Sequence, residues 1–135
     1  MFLIKNNYSE FTRAAGFLAY YEICDRVFNR DWKVVRDSKG RLGPYAYSGN
    51  QWVSFDDQGM LQKKSQYIIN MNLGGGMVWA LDLDDFGGHC GQGKHPLLKV
   101  IHATLQKGSA NEIGGKMREK MLKTTKIYLI FFYIF

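Results

Sequence analysis

The chain has 135 residues, room for one domain with a modest core and not for two. Its composition is globular, with 46% hydrophobic, 15% aromatic and 22% charged residues. The formal net charge is +6, but residues 106–126 hold six of the 18 basic side chains against two of the 12 acidic ones. The excess therefore sits in a tail, no basic stripe interleaved with aromatics crosses the body, and a nucleic-acid partner is not expected.

The opening "MFLIKNNYSE" lacks the apolar run of a secretory signal. From Gly16, "GFLAYYEICDRVF" places Phe17, Tyr20, Tyr21, Cys24, Val27 and Phe28 at helical spacing, which predicts a short helix. Turn signals at Asp37–Gly40 and Ser48–Asn50 then divide β-prone runs into three short antiparallel strands near 32–36, 44–48 and 51–55. Asp56 or Asp57 can cap the next helix, which runs to about Asn70. After Gly74–Gly76 the run "MVWALDL" is nearly all apolar and reads as a strand buried on both faces, as in a parallel sheet. Pro96 opens a last helix, "HPLLKVIHATL", where its missing N–H is harmless.

One buried parallel strand needs neighbours, and this chain supplies none of equal quality. That mismatch points to a piece of a larger α/β fold. Beyond Leu105 the text turns polar and glycine-punctuated, a linker or disordered tail. The end, "IYLIFFYIF", is apolar for nine residues, against about 20 needed to span a bilayer. It is strand-prone and sticky, and no membrane partner is expected.

Three chemistries suggest themselves around residues 77–95, and each fails on spacing. A calcium loop beginning at Asp82 would put Phe86 and Gly93 where an oxygen ligand and a bidentate glutamate belong. "GHCGQGKH" has the glycines and lysine of a phosphate loop, but His95 stands where a Ser or Thr must hold magnesium. His89, Cys90 and His95 lack the paired spacing of a metal site. Asp82, Asp84 and Asp85 serve better to turn and cap the chain than to act as paired acids. Cys24 and Cys90 lack CxxC spacing and leave two readings open, a pair of buried thiols or one long-range disulfide. Trp79 stands near the carboxyl end of the predicted strand, where parallel α/β folds bind ligands, and offers a flat apolar platform for a sugar ring. An ordinary core tryptophan is the competing reading.

"GFLAYYEIC", "PYAYSGNQWVSFDD", "LGGGMVWALDLDDFGGHC" and "HPLLKVIHATL", in this order, resemble the C-terminal part of chitinases of glycoside hydrolase family 18, of the animal and especially insect type. The resemblance runs from about Tyr8 to Leu105. It implies an α/β fold, the C-terminal portion of a (β/α)8 barrel. Residues 1–56 would end an α+β insertion subdomain with a small antiparallel sheet. Residues 57–105 would be the last helix–strand–helix of the barrel, and 106–135 a non-family tail. It also implies a Cys24–Cys90 disulfide in a secreted, extracellular parent protein. That bridge would close a loop of about 67 residues, worth roughly 4 kcal/mol on a chain-entropy model.

The family cleaves β-1,4-linked N-acetylglucosamine, and the substrate's own acetamido oxygen is the nucleophile. The implied partner is therefore chitin or its oligosaccharides, with no cofactor and no metal. Trp79 matches the tryptophan flooring the cleaved-sugar subsite; Phe17 and Leu83 are similar to groove-lining positions. The family's proton donor is the glutamate of a DxxDxDxE motif, and no such motif occurs in these 135 residues. The expected reading is a truncated chitinase that keeps part of its cleft and lacks the acid. The alternative is a non-catalytic chitin-binding, chitinase-like protein.

Overall fold

The computed structural model describes residues 9–13, 15–112 and 131–133. The order is α1 (Tyr20–Asn29), β1 (Lys33–Val35), β2 (Tyr45–Ser48), β3 (Gln51–Ser54), α2 (Gln58–Asn70), β4 (Met77–Trp79), α3 (Pro96–Glu112) and β5 (Phe131–Tyr133). A 3-10 turn, Leu81–Leu83, follows β4.

Helix α1 starts four residues later than its periodicity suggests. Gly16 takes a left-handed φ of 73°, and Ala19, in extended backbone, is the N-cap. Alanine has no side-chain acceptor, so the cap is completed from inside the helix: Glu22 accepts the Ala19 N–H at 2.8 Å. The apolar face of α1 then buries Tyr20, Ile23 and Cys24, with Val27 one turn on.

β1, β2 and β3 form an antiparallel meander in that order. The β2–β3 register pairs Ser48 with Gln51, leaving Gly49–Asn50 as a two-residue loop. Gly49 has φ 57°, the positive value a type II′ hairpin demands at its first central position. Alternation does the rest: Ala46 and Val53 face the core, while Tyr45, Tyr47 and Trp52 face outward.

Of the two possible caps for α2, Asp57 takes the role, accepting from the Met60 N–H at 2.9 Å. Asp56 instead pairs with Lys64. Helix α2 lies against α3, and Ile69 sits directly over Gly108, where an added Cβ would stand 2.4 Å from Ile69 Cδ1. Leu61 of α2, Leu97 and Ile101 of α3, and the inner faces of α1 and the sheet share one hydrophobic cluster.

Two expectations need correction. The run "MVWALDL" is not one strand buried on both faces. Only Met77–Trp79 is paired as a strand; the Trp79–Ala80 peptide is cis, and after an extended Ala80 the chain tightens into the 3-10 turn. Met77 and Val78 are half-buried, and Trp79 is 65% exposed. Among the described residues β4 has one neighbour, β5, paired in parallel with Trp79 opposite Tyr133. The faces of a parallel strand are buried by elements packed over them, and the exposure of Trp79 shows that its face lacks such cover among the described residues.

The second correction concerns the tail. Residues 106–112 continue α3 rather than forming a linker, and Phe131–Tyr133 make a strand. Gly108 reads as a breaker, yet it is the residue that lets α2 approach, so packing outweighs its propensity cost of about 1 kcal/mol. The remainder of the predicted tail lies outside the described residues.

Candidate sugar-binding site

Trp79 ends β4 with its ring largely in solvent, and Leu81, two residues on, is 53% exposed. A large indole left bare beside a half-covered strand is the unusual feature of this surface, since a Trp is normally well buried. Leu83 is half-buried at the end of the 3-10 turn, its N–H donating to the Ala80 carbonyl at 3.0 Å. The turn breaks the two-residue alternation, so Leu83 does not continue the face of Trp79 as a straight strand would. Phe17 is half-buried in the loop before α1, and its carbonyl accepts from the Thr12 hydroxyl at 3.4 Å.

Two buried carboxylates shape the chain beyond Leu83. Asp84 accepts from Leu97 N–H (3.3 Å) and Leu98 N–H (3.0 Å), two of the orphan donors in the first turn of α3. Asp85 accepts from the backbone of Gly88 (2.8 Å), His89 (2.9 Å) and Cys90 (2.7 Å). These are the turning and capping roles expected of the aspartates. Asp82 is exposed; burial first, then the Glu22 and Asp82 charges, raise the Tyr21 pKa.

The Phe17 loop and the Leu83 loop meet across α1. Tyr21 packs edge-on against Phe86 with ring centroids 5.4 Å apart, and against Phe11 at 6.1 Å. Cys24 and Cys90 form a disulfide, Cα atoms 5.3 Å apart and 66 positions apart in sequence. The Tyr20 hydroxyl donates to Gln92 Oε1 at 3.2 Å on the same seam. Burial first, then the Asp57 and Asp84 charges, push Tyr20 up to about 12. Sequence reasoning missed Glu22, whose buried side chain accepts from Phe11, Thr12 and Ala19. An acid three residues after a helix N-cap was the available signal.

This arrangement can bind a flat apolar surface and hold it beside hydrogen-bonding loops. Its buried carboxyl groups, Glu22, Asp84 and Asp85, are all engaged with backbone amides. The comparisons with known proteins give the class. The family model Glycosyl hydrolases family 18 matches residues 3–84. The chain belongs to that family, whose chitinases are built on a (β/α)8 barrel.

Among individual relatives, it is 65% identical over 95 residues to "Probable chitinase 10" of Drosophila melanogaster, a match covering 70% of this chain and 4% of that protein. The catalytic domain 2 of an Ostrinia furnacalis Group II chitinase superposes with a TM-score of 0.70 at 57% identity, covering 71% of this chain and 25% of that domain. A human pseudo-chitinase with retained chitooligosaccharide binding superposes at 0.63 with 45% identity, covering 70% of this chain and 26% of that one. The chain thus spans about a quarter or less of each of these relatives.

Proposed function

We propose that this chain supplies the last part of a family 18 chitinase fold and the sugar platform of its cleft, without the catalytic acid. Residues 1–56 close the α+β insertion subdomain, 57–105 are the final helix–strand–helix of the barrel, and 106–135 are a tail outside the family pattern. Trp79 floors the subsite of the cleaved sugar, with Phe17 and Leu83 lining the groove. The observation that carries this reading is the exposed indole at the carboxyl end of β4. An N-acetylglucosamine ring stacks its C–H face on such a surface.

Hydrolysis in this family needs a glutamate to protonate the leaving oxygen while the substrate's acetamido group attacks. These 135 residues contain no DxxDxDxE to provide it. Binding without cutting is therefore what this polypeptide does on its own, and chitin hydrolysis is the work of a barrel that includes the acid. The similarity to a pseudo-chitinase that binds chitooligosaccharides favours the second reading, a non-catalytic chitin-binding protein. The Cys24–Cys90 disulfide supports an oxidising, extracellular setting for either.

Retention on chitin beads tests the platform. Wild-type chain is retained, and Trp79→Ala loses about tenfold or more in affinity, as loss of an aromatic anchor does. A wild-type chain that passes straight through the beads would refute the binding reading.

A further inference from the structure

Glu22 is an acidic side chain at 1% exposure, and both oxygens of its carboxyl group accept from backbone N–H groups. One oxygen accepts from Phe11 N–H at 3.0 Å and Thr12 N–H at 3.4 Å; the other accepts from Ala19 N–H at 2.8 Å. The three donors bracket Phe17. Both ends of the short segment that presents this ring are thus fastened to one carboxylate on the first turn of α1. Within the bracket the Thr12 hydroxyl donates to the Phe17 carbonyl, the Arg13 N–H donates to Ser9 Oγ, and Gly16 makes a left-handed turn. Glu22 is itself fixed two residues from the disulfide at Cys24, so the loop is referenced to the same seam that anchors the Asp85 loop.

We propose that Glu22 is a positioning residue for sugar binding: it holds the loop from Phe11 to Ala19 so that Phe17 stays at the groove. The proposal rests on Phe17 lining the groove, as set out above. Glu22 does not touch the sugar and transfers no proton. A charged acceptor suits the task because each N–H···O⁻ bond is stronger than its neutral counterpart, and one carboxylate can serve several donors. The isosteric glutamine keeps one oxygen and turns an N–H₂ group toward backbone donors, so part of the bracket must open.

Two measurements on the full 135-residue chain decide it. Amide hydrogen exchange of Glu22→Gln is expected to speed up at Phe11, Thr12 and Ala19 by about tenfold or more, while Gly88, His89 and Cys90, held by Asp85, keep their rates. Uniform acceleration everywhere, or none at the three amides, overturns the proposal. A double-mutant cycle then reads affinity for an N-acetylglucosamine pentamer through tryptophan fluorescence. Glu22→Gln is expected to weaken binding about tenfold in the wild-type background and less than about twofold in Phe17→Ala. An equal loss in both backgrounds would assign Glu22 to general stability and sink the idea. If the wild type binds no pentamer, the functional reading fails, and exchange at the three amides still judges the loop claim. Should Glu22→Gln not fold, Glu22→Asp, with its charge kept and its reach shortened by one methylene, carries the same two readouts.

Discussion

Tyr20 shows how a single buried group records the seam between α1 and the loop after β4. Its hydroxyl is withdrawn from water and faces the Asp57 and Asp84 charges, which favours the neutral phenol and lifts its pKa from 10.0 to about 12. The folded state therefore holds this proton more tightly than the unfolded chain does. The stabilisation is complete below about pH 10 and is lost as pH rises toward 12. Denaturant midpoints measured across that window should fall more steeply for wild type than for Tyr20→Phe, which has no proton to lose. Trp79 is the opposite case, a large ring left in water. Its identity was legible from residue type and position, yet its exposure was not, because a strand pattern cannot say whether a neighbouring layer covers it.

Elements carry their own tests. Between α2 and α3, Gly108→Ala sets two effects against each other. Alanine gains about 1 kcal/mol of helix propensity, but its Cβ meets three carbons of Ile69 at 2.4 to 3.0 Å. Overpacking of this kind costs about 1–3 kcal/mol, so the substitution should lower the melting temperature despite the better helix former. Thermal unfolding of the two proteins checks it. Replacing Cys24 and Cys90 by serine should cost about 4 kcal/mol, because a 66-residue separation leaves much loop entropy to be regained on unfolding. Chemical unfolding with and without a reductant gives the same comparison on the native chain.

The elements also show how far sequence patterns reach. The three strands lie within a residue of their expected ends, since glycine and aspartate turns fix them locally: Asp37 alone binds the N–H groups of Lys39 and Arg41. Helix α2 is just as legible to its end, though which of Asp56 and Asp57 caps it was left open and packing gave the role to Asp57. The ends of α1 and α3 were not legible, because one depends on Glu22 reaching back and the other on Gly108 fitting under Ile69.

For the whole molecule, the family assignment and the missing acid together predict behaviour in bulk. Incubated with chitin oligomers over the acidic to neutral range, the 135-residue chain should release no shorter sugars by chromatography, even where it binds them. Hydrolysis that survives purification to homogeneity would contradict the proposed role. What the sequence by itself determined is what depends on residue order and local pattern: the family, the antiparallel meander, an aspartate cap for α2 and the lack of DxxDxDxE. Spacing left the cysteines open and the family resemblance implied the bridge that the structure contains, whereas how much of "MVWALDL" is strand, and that Trp79 is bare, were decided by tertiary structure. Those outcomes depend on which segments lie against one another, and a strand's burial belongs as much to its neighbours as to its own side chains.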